Sequence, residues 1–122
     1  MKLERFYLPA TFIWAVGLFI GSVMPATAKL AQEIEILNFY GFGLHLMGYA
    51  VLSLLLVLTL ENRRFKNYYL YSVLIAIIYG VLLELAQMFI PTRNPSASDA
   101  LANTIGAFIT ATAYAFRNKK WN

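Results

Sequence analysis

Cysteine is absent from the 122-residue chain, and histidine occurs once, at position 45. Without cysteine there is neither a disulfide framework nor a thiolate metal site, and one histidine excludes a multi-histidine metal centre within one chain, so no metal and no cofactor is expected. Charge is scarce as well. Only 13% of the residues are charged and 60% are hydrophobic, against roughly 25% charged in ordinary soluble domains. A soluble globular domain is thereby excluded, and a membrane protein with a single domain over residues 1–122 is expected. Ten basic residues against six acidic ones leave a formal charge of +4. Nucleic acid is not expected as a partner, because that requires basic residues clustered on a soluble face, and here the charges flank apolar stretches. No repeat, low-complexity tract or second domain is visible.

What the chain does have is long apolar runs. Four stretches reach the length of about 17 to 25 largely apolar residues that a membrane-crossing helix needs: residues 6–24, 44–60, 68–90 and 100–116. The expected fold class is an all-α membrane protein, four transmembrane helices in a compact bundle. Eight of the ten basic residues (Lys2, Arg5, Arg63, Arg64, Lys66, Arg117, Lys119, Lys120) fall at the N-terminus, after span two or in the tail, leaving Lys29 and Arg93 on the other side. By the positive-inside rule both termini and the 61–67 loop are cytoplasmic, and segments 25–43 and 91–99 lie outside. Aromatic residues flank the spans accordingly: Phe65, Tyr68, Tyr69 and Trp121 inside, Phe39, Tyr40 and Phe42 outside.

A secretory signal competes for the N-terminus, since Lys2 and Arg5, an apolar stretch and Ala26-Thr27-Ala28 follow one another. The apolar run of residues 6–24 exceeds the about 7 to 15 residues of a signal's apolar region. It is read as a membrane span, and the other three spans keep their orientation either way.

Glu84 stands inside the apolar run 68–90. Ionisable groups at membrane depth are costly, and by default they mark a polar cavity, a pathway or a site with a partner. At 1.5 Å per residue Glu84 lies roughly 10 Å below Pro91. On the same membrane side are His45 at the start of span two, Arg93 in the short loop after span three, and Asp99 and Asn103 in the first turns of span four. Helical spacing groups them into stripes: Gly80, Glu84, Gln87 and Pro91; Asp99, Asn103, Gly106 and Thr110; His45, Gly48, Tyr49 and Leu52. The glycines let backbones approach closely. A polar pocket open to the outer face and lined by spans two, three and four is expected.

Each residue also has a purely structural reading. Ser96-x-x-Asp99 matches a helix-capping pattern, Arg93 suits an interfacial anchor, and Gln87 and Asn103 suit interhelical hydrogen bonding. A lone histidine at a helix end is commonly structural. Glu84 differs, because a structural glutamate at this depth still needs a desolvated partner, for which His45, Arg93 and Lys29 are the candidates.

The string His45-x-x-x-Tyr49, Tyr79-Gly80, Glu84-x-x-Gln87-x-x-x-Pro91-x-Arg93 and Asp99-x-x-x-Asn103-x-x-Gly106 resembles the VanZ-like family of small bacterial membrane proteins, related to a teicoplanin-resistance accessory protein. The match covers spans two to four, with a weaker echo at Ser22 to Pro25. It departs ahead of the histidine, where the family often carries Asp-Lys and Gly41 and Phe42 stand here. The resemblance implies a multi-pass protein of the bacterial cytoplasmic membrane with a cell-envelope link. Its motif residues fall on His45, Glu84, Gln87, Arg93, Asp99 and Asn103, the set that topology brings together.

Three functions remain open. In the first, the pocket binds an envelope lipid head group or a glycopeptide-type ligand as an antibiotic-resistance accessory, with Arg93 as the anion contact. In the second, the protein is an intramembrane enzyme acting on a lipid-linked substrate, with Glu84, His45 and Asp99 as catalytic candidates and Gln87 and Asn103 as donors to developing charge. In the third, it is a structural partner subunit. The first is preferred. Transport is not expected, since no ionisable residue lies in the inner half of any span.

Overall fold

The computed structural model of the chain describes residues 2–23, 34–91 and 96–118, with residues 34–40 described as backbone alone. After a 3-10 turn at Leu3–Phe6 come α1 (Tyr7–Val23), α2 (Ile34–Asn62), α3 (Tyr68–Gln87) and α4 (Ala97–Asn118). Among the described residues the fold is all-helical, four α-helices with no strand. Pro9 falls in the first turn of α1, where a backbone N–H has no intrahelical partner to lose.

Three helical segments are long and apolar enough to cross a membrane: Leu3–Val23, Gly41–Asn62 and Tyr68–Gln87. The fourth stretch expected to span, α4, is not among them. Its 22 residues would bridge the roughly 30 Å of hydrocarbon, but Ser98, Asp99, Asn103, Thr104, Thr110 and Thr112 leave it short of the other three in apolarity. The side α4 turns inward is made of Ala102, Asn103, Gly106, Ala107 and Ala111, so it packs by closeness rather than by bulk.

Span two also differs from its expected bounds of 44–60. The helix begins at Ile34, well inside the segment read as an external loop. Gly41 and Gly43 lie inside this helix, where an interior glycine costs only about 1 kcal/mol and does not break it. At the end of α3, Met88, Phe89 and Ile90 turn back with N–H bonds to Leu85, Ala86 and Gln87 carbonyls at 3.2, 3.2 and 3.0 Å. Pro91 disfavours the helical region for the residue before it, and the helix stops short of the expected Ile90.

The α2 to α3 connection is tight. Arg64 has φ 59 and Asn67 φ 57. The Phe65 N–H reaches the Leu60 carbonyl at 3.0 Å and the Arg64 N–H reaches that of Glu61 at 2.8 Å, the paired bonds of a Schellman ending with Arg64 at the left-handed position that glycine usually fills.

The packing centre is the α2–α4 contact. A Cβ added at Gly106 would lie 2.3 Å from the Leu46 carbonyl oxygen and 3.1 Å from the Ala50 nitrogen, so the backbones meet where only glycine fits. Tyr49, Leu52, Leu56, Ala76 and Ala107 form one buried cluster, and Val57, Val73 and Ala111 another toward the other end. Ser53 donates to the Ala107 carbonyl at 2.9 Å. Helix α1 is held by polar contacts: Trp14 donates to the Gly48 carbonyl at 2.8 Å and Tyr79 to that of Ala15. Thr11 donates to Tyr7 O at 2.7 Å, which leaves its oxygen to accept from Thr59 at 2.9 Å. Outer faces carry Phe12, Ile13, Ile78, Leu82 and Phe108 in exposed positions, suited to lipid.

Candidate functional site

One end of the bundle gathers the polar residues. His45 sits one turn into the apolar part of α2, Glu84 one turn before the end of α3, and Asp99 and Asn103 in the first two turns of α4. Ser96 caps α4 by accepting the Asp99 N–H at its Oγ, 3.1 Å away, the capping arrangement the sequence contains. That leaves the Asp99 side chain to face α2.

The imidazole is held by an amide. His45 Nδ1 lies 2.9 Å from Asn103 Oδ1. Since an amide oxygen only accepts, Nδ1 donates this bond and Nε2 is left to face the recess. Asn103 is 3% exposed and fixed against α3: a Cβ at Gly80 would meet its Nδ2 at 3.2 Å and Tyr49 Cε1 at 3.1 Å. The bare backbone of Gly80 is therefore what lets Asn103 and Tyr49 lie against α3. His45 Nε2 is 3.8 Å from Asp99 Oδ2, beyond hydrogen-bonding distance.

Glu84 completes the group. One ligand atom each of His45, Glu84 and Asp99 lies within 4.8 Å of the others. The Glu84 carboxylate also lies close to the Ser96 backbone amide, yet its Oε2 is sealed from solvent and has no hydrogen-bond partner. Buried side-chain oxygens are nearly always partnered, and one left over calls for an explanation such as a bound group.

Of the residues singled out in the sequence, His45, Glu84, Asp99 and Asn103 come together. Gln87 does not join them: it is 4% exposed and donates from Nε2 to the Ser22 carbonyl of α1 at 3.1 Å, which is the interhelical role. Arg93 and Lys29 lie outside the described residues, as does the Ala26-Thr27-Ala28 motif.

The sequence reading placed the recess among spans two, three and four, and α1 was missed. An open groove of about 290 Å³ runs between α1 at Gly17, Leu18 and Gly21 and α2 at Gly41, Leu44 and His45. A Cβ at Gly17 or Gly41 would meet nothing within 4 Å, so these glycines face open space. The signal was Gly17-x-x-x-Gly21, small residues one turn apart on an apolar helix. Ser96, which caps α4 beside Glu84, had been valued only for Asp99.

The arrangement offers two carboxylates, an oriented imidazole and an apolar groove with the imidazole in its wall. It can accept protons or donors, hold a cation, and seat a chain beside a polar group. No curated protein and no solved structure matches the chain. The VanZ/LLP1 family model matches residues 6–118, nearly the whole length, and the chain belongs to the VanZ/LLP1 family.

Proposed function

We propose that this is a four-span protein of the bacterial cytoplasmic membrane, both termini cytoplasmic, whose recess at the His45 end faces outward and binds the head group of an envelope lipid or a glycopeptide-type ligand. The observation that carries the reading is the sealed, unpartnered Glu84 Oε2 beside His45 and Asp99. A carboxylate left so in an apolar surround is costly, and a ligand hydroxyl or amine would satisfy it. Support for a lipid comes from the groove between α1 and α2, which abuts His45 and has room for part of an acyl chain. Arg93, in the loop between α3 and α4, supplies the phosphate contact in this reading.

The test is lipid retention by the purified chain in mild detergent, read by native mass spectrometry after exposure to an envelope-lipid extract. Wild type retains a lipid. Glu84→Gln and Arg93→Glu lose it while their melting temperatures stay near that of wild type. Retention unchanged in both variants contradicts the proposal.

A second reading has its own observation. Asn103 holds His45 with Nε2 turned to the recess, 3.8 Å from Asp99 Oδ2, as a general base is held. Hydrolysis or transfer on a lipid-linked substrate would then be lost in His45→Gln with lipid retention preserved. Absence of turnover in wild type removes this reading.

A further inference from the structure

Among the described residues, the recess sets two carboxylates against a single basic group. With Nδ1–H committed to Asn103 Oδ1, the imidazole offers at most one positive charge against Glu84 and Asp99, whose carboxylates share with it a space no wider than 4.8 Å between ligand atoms. The ends of two helices abut this space, α3 by its C-terminus and α4 by its N-terminus. Their partial charges are opposite in sign and of about half an elementary charge each, so they largely offset one another. The field is left to the carboxylates.

We propose that His45 Nε2, Glu84 and Asp99 bind a single divalent transition-metal cation, with Zn²⁺ preferred over Mn²⁺. Three features support it. The 3.8 Å between His45 Nε2 and Asp99 Oδ2 is too long for a hydrogen bond, yet it is near the spacing of two atoms that share an ion at about 2.0 to 2.2 Å from each. Closing the whole set, whose ligand atoms lie within 4.8 Å of one another, takes side-chain movements that bring the widest pair together by about an ångström or more. Glu84 Oε2, sealed and without a partner, gains one. Finally, the other nitrogen of the imidazole already donates to a buried side chain, the outer arrangement that orients metal-bound histidines and fixes their tautomer.

The donor set selects the ion. An imidazole with two carboxylates and no sulfur suits borderline first-row cations, and affinity rises from Mn²⁺ to Zn²⁺. Mg²⁺ and Ca²⁺ prefer all-oxygen shells. Three protein ligands leave an open position on the ion. The cation site does not require the head-group reading; only the further step, that a lipid phosphate oxygen fills the open position, rests on it.

Histidine occurs once in the chain, so selective ¹⁵N-histidine labelling reports one imidazole. The full chain in detergent micelles is titrated with Zn²⁺ alone. The Nε2 resonance is expected to move in a saturable manner while Nδ1 stays protonated, with one ion bound per chain by elemental analysis. Mn²⁺ binds more weakly, and Mg²⁺ and Ca²⁺ leave the resonance in place. Asn103→Ala weakens Zn²⁺ binding about 10- to 100-fold as an outer-shell change, Glu84→Gln and Asp99→Asn weaken it further, and the exposed Glu4→Gln leaves it unchanged. An unmoved Nε2 in wild type overturns the proposal without recourse to any variant, and so does a shift that persists in the Glu84→Gln/Asp99→Asn double variant. Zn²⁺ uptake without lipid retention overturns the head-group reading and leaves the cation site. Glu84-dependent lipid retention without Zn²⁺ uptake does the reverse.

Discussion

His45 and Asn103, 58 positions apart in the chain, meet at 2.9 Å between Nδ1 and Oδ1, and this contact across two helices orients the imidazole. It joins α2 to α4 at the same end where Gly106 brings their backbones together. Asn103 is in turn backed by Gly80 of α3, so the imidazole position is set by three helices at once.

Removing that amide should be felt in stability. Asn103→Leu leaves the Nδ1–H of His45 without its acceptor, and a part-buried donor so orphaned costs about 1 to 3 kcal/mol. Thermal or detergent-titrated unfolding of the variant measures it.

Gly106 is the tightest steric point. With an added Cβ at 2.3 Å from the Leu46 carbonyl oxygen, Gly106→Ala must push α2 and α4 apart, at a cost of about 1 to 3 kcal/mol or more, as for other overpacked cores. Gly43→Ala, whose Cβ meets nothing within 4 Å, should instead stabilise the helix by up to about 1 kcal/mol. Parallel unfolding curves separate the two outcomes.

Arg64 occupies a left-handed position with φ 59. That conformation costs a non-glycine residue roughly 1 to 2 kcal/mol, so Arg64→Gly is expected to raise stability by up to that amount, less the larger entropy glycine loses on folding. A lowered melting temperature would contradict the Schellman description of this turn.

The Thr11–Thr59 hydroxyl pair ties α1 to α2 at 2.9 Å. Interhelical hydrogen bonds in bilayers average about 0.6 kcal/mol in double-mutant cycles. A cycle of Thr11→Val and Thr59→Val should return a coupling of that order, well below the effect of Gly106→Ala.

Apolar length and glycine spacing made most of the fold legible. Four helices and their order follow from the runs in the sequence, and the stripe pattern places His45, Glu84, Asp99 and Asn103 at one end because an α-helix repeats every 3.6 residues. Illegible parts have physical causes. The start of α2 was hidden because Gly41 and Gly43 look like punctuation, whereas an otherwise uninterrupted helix absorbs them. The α4 helix looked like the other spans because its small residues pass for apolar ones, though its threonines and Asn103 lower its apolarity. Gln87 shares a stripe with Glu84 but meets α1, and a single helix's periodicity does not say which neighbour a stripe will face. How closely His45, Glu84 and Asp99 approach one another was not legible, because helical periodicity places residues on a face and gives no distance between helices.

The most direct test is Glu84→Gln, with unfolding and lipid retention measured on the same preparation. Replacing a carboxylate whose Oε2 is sealed and unpartnered by a neutral amide of the same shape removes a desolvation cost, so the variant should be as stable as wild type or more so, and should no longer hold lipid. A variant that unfolds more readily yet keeps its lipid would show that Glu84 braces the bundle and that the recess serves no ligand.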